Sequence, residues 1–80
     1  MNSTVIPDKT IDCIGLYCPH PLFLTREGID SIQVGQILEV LADDPAAEED
    51  LQRFAKRSGQ EFLKIEKNGV KLRILIKRLT

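Results

Sequence analysis

Residues 61–77 read EFLKIEKNGVKLRILIK, and this stretch decides the fold. Two runs that alternate apolar and polar residues flank Asn68-Gly69. That dipeptide suits a type I′ turn, because both residues tolerate positive φ. Pairing Lys67 with Val70 puts Ile65 opposite Leu72 and Leu63 opposite Ile74. These four then share one face with Val70 and Ile76, so a single register satisfies every inward position. A lone hairpin is only marginally stable in water, so its apolar face must be covered by the rest of the chain.

The cover is found upstream. Residues 43–50 read DDPAAEED and start a helix. Asp44 suits the N-cap, Pro45 the first helical position, and the following acids the positive end of the dipole. Ala47, Leu51, Phe54 and Ala55 make an apolar stripe. Lys56 and Arg57 complement the far end, and Gly59 supplies a left-handed cap. Residues 37–42, ILEVLA, form a compact apolar run read as a strand. A second helix is expected over roughly residues 19–32, with Leu22, Thr25, Ile29 and Ile32 on one face. Gly28 weakens it and Gly35 ends it. Residues 10–14, TIDCI, alternate as a strand with Ile11 and Cys13 inward. The order is β-α-β-α-β-β. Right-handed crossovers then predict an α+β fold: a two-layer α/β sandwich with both helices on one face of a four-stranded mixed sheet. The opposite face would hold Ile37, Leu41, Phe62 and Leu75 among charged residues.

Eighty residues imply one domain spanning 1–80, with residues 1–8 as a loose tail. No run approaches the ~20 apolar residues of a membrane span. The first residues lack the basic and apolar regions of a signal peptide, so a cytoplasmic location is expected. The net charge of −1 hides an asymmetry. Residues 1–50 carry two basic and ten acidic side chains, a net −8; residues 51–80 carry nine basic and two acidic, a net +7. The plainer reading is that the halves neutralise each other on folding. A basic surface steering an acidic partner or RNA is the sharper one.

Cys18 is the residue that could carry chemistry. Pro19 pushes it out of helical geometry. Pro19 and Pro21 are tolerated because they fall in the first helical turn. A thiol at a helix N-terminus has its thiolate favoured by the dipole and by free N–H groups, which lowers its pKa. The two prolines remove two of those donors, so the lowering is moderate. That helps thiol exchange, because nucleophilicity falls as pKa falls. His20 could add positive charge nearby. Read against this, Cys18 is an ordinary small residue in a proline-rich loop, although cap positions prefer Ser, Thr, Asp or Asn. Cys13, inward on a strand, reads as a small buried hydrophobe. Its pairing with Cys18 in a disulfide is open from sequence. Two Cys and one His lack a fourth zinc ligand, so no metal site is expected. There is no phosphate loop and no Cys-x-x-Cys. A lone exposed thiol in so small a domain suits carrying a group better than transforming a substrate.

The run Asp12-Cys13-Ile14-Gly15-Leu16-Tyr17-Cys18-Pro19-His20-Pro21 resembles the D-x-x-G-x-x-C-P-x-P signature of TusA/SirA-like sulfur carrier proteins. Residues 42–45, ADDP, resemble the start of that family's second helix, and the likeness covers about residues 9–77. It implies a fold similar to the C-terminal domain of translation initiation factor three. It implies that Cys18 carries a persulfide, received from a cysteine desulfurase or rhodanese-like donor and passed to a downstream acceptor protein. It implies no metal or organic cofactor. Asp12 and Gly15 would shape the loop, Pro19 and Pro21 orient the helix tip, and Asp43 and Asp44 serve capping. The uses implied are tRNA thiolation, cofactor sulfuration and sulfur metabolism. The alternative is an RNA- or protein-binding regulatory module without persulfide chemistry. The acidic balance and scarce aromatics argue against direct nucleic-acid binding.

Overall fold

The structure is a computed structural model that describes residues 6–17 and 20–80. Its elements are β1 (Lys9–Cys13), α1 (His20–Ser31), β2 (Ile37–Ala42), α2 (Ala46–Ser58), β3 (Glu61–Asn68) and β4 (Lys71–Lys77). They form an α+β fold with one four-stranded mixed sheet in the order β1-β2-β4-β3. β1 runs parallel to β2, and β4 runs antiparallel to both of its neighbours. The tail segment ends on an anchor. Asp8 N–H bonds to Ile37 O, and its carboxylate accepts the Ile37 N–H, both at 2.8 Å.

Register explains the core. One face of the sheet is built from rows across the strands. Ile11, Val40, Ile74 and Ile65 make one row; Cys13, Ala42 and Leu72 make the next; Leu38, Ile76 and Phe62 make a third. Ile29 and Ile32 of the α1 region and Ala47, Leu51 and Ala55 of α2 join these in one buried cluster, so both helices cover the same face. Thr25 is fully buried, and its hydroxyl donates to the Pro21 carbonyl at 2.7 Å, which removes the cost of an unpaired polar group. Arg78, just past β4, donates from Nη1 to the Ile29 and Asp30 carbonyls at 3.2 and 3.4 Å, and also to Ile32 O. A cation thus sits where the negative end of the α1 dipole leaves carbonyls unpaired.

The hairpin differs from the sequence expectation by one step. Asn68 pairs with Lys71, so the turn is Gly69-Val70 and not Asn68-Gly69. Only Gly69 needs positive φ (65°), whereas a type I′ turn would have needed it at Asn68 as well. Ile65 consequently faces Ile74, not Leu72, and Val70 is 74% exposed at the tip instead of inward. The shift moves each strand by one residue, so face assignments survive through most of the hairpin. They fail at a bulge between Phe62 and Lys64. The extra residue, Leu63, leaves the core face, and Phe62 replaces it, paired with Ile76 and packed on the buried cluster.

The open face carries its own small core. Leu75 is 1% exposed although no helix covers that side. Glu39 and Lys64 flank it in its row. Arg73 binds Glu39 and, at 3.3 Å, Glu66; Lys64 pairs with Glu66 at 3.0 Å; Thr10 donates to Glu39 at 2.7 Å. Long side chains such as these can lay their stems over an apolar neighbour, which accounts for a buried leucine on this face. Glu39–Arg73 and Glu48–Lys67 (2.9 Å) join the acidic half of the chain to the basic half, as the neutralising reading expects. Among the described residues no helix is long and apolar enough to cross a membrane.

Candidate functional site

Parallel pairing places the ends of β1 and β2 side by side, Cys13 against Ala42, with Leu72 and Lys67 continuing the row. The β1–α1 loop, the β2–α2 loop and the hairpin tip therefore emerge from one end of the sheet. The motif run lies at that end.

Three consecutive backbone N–H groups of the β1–α1 loop are all engaged. Ile14 N–H donates to the Asp12 carboxylate at 2.9 Å, a local Asx turn. Gly15 N–H donates to Asp43 Oδ1 at 3.0 Å. Leu16 N–H donates to Cys13 O at 3.1 Å. Gly15 has φ 84°, and nothing lies within 4 Å of where a Cβ would stand. Glycine is thus required there by backbone conformation and not by crowding. His20 N–H closes the entry to α1 by donating to Tyr17 O at 2.9 Å. Tyr17 is 70% exposed and His20 is exposed. Pro21 is buried in the first turn of α1, where a missing N–H leaves no carbonyl unpaired. Cys18 and Pro19 lie outside the described residues.

Asp12, Gly15, His20 and Pro21 thus come together at one loop and helix start. The two acids after β2 divide their work, which the sequence reading did not separate. The residue before α2 is Pro45, already helical at φ −57° and ψ −27°, and it gives no side-chain cap. Asp44 provides capping from one position further out: its carboxylate accepts the Ala46 N–H at 3.0 Å and its carbonyl the Ala47 N–H at 2.9 Å. Asp43 does not cap α2. It reaches across 28 positions to Gly15. Doubling of the acid before proline was the only trace of this in the sequence, since one carboxylate suffices for a cap.

Cys13 is a free, fully buried thiol. Burial, and then the neighbouring Asp12 charge, push its pKa above the ordinary thiol value. A thiol kept neutral and enclosed is a poor nucleophile. No group of three or more His, Cys, Asp or Glu among the described residues is placed to hold a metal ion. Two concavities are present among the described residues. A groove of about 470 Å³ between α1 and α2 is lined by apolar Leu22, Ile29 and Phe54 and by charges of both signs, Arg26, Arg53 and Arg57 with Asp30 and Asp50. A smaller one, about 300 Å³, includes Ile14, Leu41 and Arg73 on the open face.

Comparison with known proteins agrees with this geometry. The family model described as sulfurtransferase TusA matches residues 9–78. A putative sulfur carrier protein of Archaeoglobus fulgidus is 51% identical over 71 residues, covering 86% of this chain and 91% of that one. The sulfur carrier protein TusA of Allochromatium vinosum is 35% identical, covering 89% and 93%. A putative sulfur carrier protein of Aquifex aeolicus is 41% identical over 89% of this chain, which spans only 36% of that longer protein. Among solved structures, the SirA-like protein of Desulfitobacterium hafniense superposes with a TM-score of 0.68 at 27% identity, over 90% of this chain and 99% of the other.

Proposed function

The chain belongs to the TusA sulfurtransferase family, and from that premise we propose that it is a single-domain cytoplasmic sulfur carrier, loaded as a persulfide on Cys18. The observation that supports this most is the D-x-x-G-x-x-C-P-x-P run of residues 12–21, which starts in β1 and ends in the first turn of α1. Position 18 is two residues ahead of the first helical residue. A thiolate ahead of a helix start is favoured by the positive end of the helix dipole.

The chemistry is a displacement at sulfur. The Cys18 thiolate attacks the terminal sulfur of a persulfide, R–S–SH, on the donor. A new S–S bond forms to Cys18 as the donor's S–S bond breaks, and the electron pair leaves with the donor thiolate. The products are Cys18–S–SH and R–S⁻, with no net oxidation. Unloading repeats the step: an acceptor thiolate attacks the terminal sulfur, and the Cys18 thiolate leaves. A cysteine desulfurase or a rhodanese-like protein is the donor class, and a sulfur-accepting protein stands downstream in tRNA thiolation, cofactor sulfuration or sulfur metabolism. Pro19 and Pro21 stiffen the tip, while Asp12 and Gly15 shape the loop before it. The buried, neutral Cys13 is not the carrier.

The relay is tested with sulfur-labelled cysteine, a desulfurase and a thiol acceptor. Label is expected to reach the acceptor through this chain, and to stop when Cys18 has been alkylated beforehand. Unchanged transfer through alkylated protein overturns the proposal. Salt-dependent RNA binding indifferent to Cys18→Ala, with no label taken up, would favour the regulatory module instead. The open face gives that reading little support, since Arg73 and Lys64 are engaged by Glu39 and Glu66.

A further inference from the structure

We infer that Asp43 is a positioning residue for the Cys18 thiol: its carboxylate holds the Gly15 N–H and thereby sets the loop that leads into Cys18. The inference rests on the carrier reading of Cys18.

The bonds of the loop carry the argument. Of the three captured N–H groups, those of Ile14 and Leu16 are held locally, by Asp12 and Cys13 at the end of β1. Those two bonds tie the loop only to the strand it leaves. The Gly15–Asp43 bond is different, because it ties the turn to another part of the sheet at a defined place. Asp43 is well suited to be that reference. It follows directly on β2, whose last residue is in register with Cys13. It precedes a capped helix start whose Glu48 is clamped to Lys67 of β3. The anchor is therefore braced by β2, α2 and the hairpin together. The other end of the bond is a glycine at positive φ, a residue with little conformational preference of its own. Without the carboxylate, the peptide unit at Gly15 is free to rotate, and the chain entering α1 loses its aim. Capping does not explain Asp43, because Asp44 does that work.

Charge and position pull in opposite directions here, which makes the role separable. The charged or titratable groups on the described segments meeting at this end are Asp12, Cys13, Tyr17, His20, Asp43, Asp44, Glu48, Lys67 and Lys71. A carboxylate acting only through its charge disfavours a nearby thiolate, so removing it would lower the thiol pKa. A carboxylate that holds the thiol at the helix tip favours the thiolate, so removing it would raise the pKa. Asparagine keeps an acceptor oxygen at the same reach and discards the charge.

The test is the pH profile of Cys18 alkylation by iodoacetamide, read by peptide mapping so that Cys13 is scored apart, together with the rate of sulfur uptake from a desulfurase. Asp43→Ala is expected to move the alkylation midpoint upward by about half a pH unit or more and to slow uptake several-fold. Asp43→Asn is expected to keep the midpoint at or below that of the wild type and to keep uptake fast. A folded Asp43→Ala protein with wild-type midpoint and uptake overturns the inference, as does an Asn variant that shifts like the Ala one. Should Asp43→Ala not fold, Asp43→Ser, with its shorter reach, is read the same way. A wild-type chain that takes up no sulfur overturns the carrier reading alone. The midpoints need no donor and still decide whether Asp43 sets the thiol.

Discussion

Gly28 of α1 lies against Leu38 of β2 so closely that a Cβ on the glycine would stand 3.0 Å from both Cδ1 and Cδ2 of the leucine. The glycine reads in sequence as a weak point of the helix, and the structure gives it a purpose. It lets α1 approach the sheet above a fully buried leucine. Gly28→Ala gains up to about 1 kcal/mol of helix propensity. Leu38 is fully buried among packed neighbours, so strain of about 1–3 kcal/mol is expected to outweigh that gain. Urea unfolding should show net destabilisation for Gly28→Ala, and no destabilisation when the same change is made in a Leu38→Ala background. Equal losses in both backgrounds would mean that the close approach does not matter.

Arg78 fastens the other end of α1. Its guanidinium bonds the Ile29, Asp30 and Ile32 carbonyls. Arg78→Ala should cost about 1–2 kcal/mol in urea unfolding, from charge-assisted bonds at a helix C-terminus. Arg78→Lys should recover only part, since a lysine nitrogen ends one bond short of Nη1 and cannot replace the Nε bond to Thr80 O. Full recovery by lysine would reduce the contact to charge alone.

The bulge in β3 makes an asymmetric prediction for two adjacent residues. Phe62 packs on the core and Leu63 does not belong to it. Phe62→Ala should therefore cost about 2 kcal/mol or more and Leu63→Ala about 1 kcal/mol or less. The reverse order would restore the unbroken alternation that the sequence suggests.

Burial of Cys13 gives an alkaline signature. Its folded-state pKa is raised above the ordinary 9.0, first by desolvation and then by Asp12. Below that ordinary value the thiol is protonated in folded and unfolded chains alike and contributes no pH dependence. Above it, the unfolded chain loses the proton while the folded one keeps it, so stability falls as pH rises until the raised folded pKa is passed. The loss of stability from about pH 9 upward should be shallower in Cys13→Ala than in the wild type. Identical slopes would show that Cys13 ionises equally in both states.

Much of the fold was legible because its signals are local and periodic. Residues 37–42 form β2 as read, and Gly59 ends α2 at φ 80° as a left-handed cap. The four-stranded sheet follows from element order and crossover handedness. What escaped depends on partners distant in sequence. Asn68-Gly69 is a strong turn signal, yet Gly69-Val70 takes the turn. Alternation cannot show the bulge that exchanges Phe62 for Leu63. The site was legible as a motif, since Asp12, Gly15, His20 and Pro21 converge on one loop and helix start. The reach from Asp43 to Gly15 was not, because only the pairing of β1 with β2 creates it.

Sulfur is expected to ride on Cys18. The most direct measurement is the intact mass of the protein after incubation with a cysteine desulfurase and cysteine, for wild type, Cys18→Ala and Cys13→Ala. A gain of one sulfur atom is expected in the wild type and in Cys13→Ala, and no gain in Cys18→Ala. A wild type that gains nothing from a desulfurase able to load another member of the family, or a Cys18→Ala protein that still gains sulfur, would contradict it.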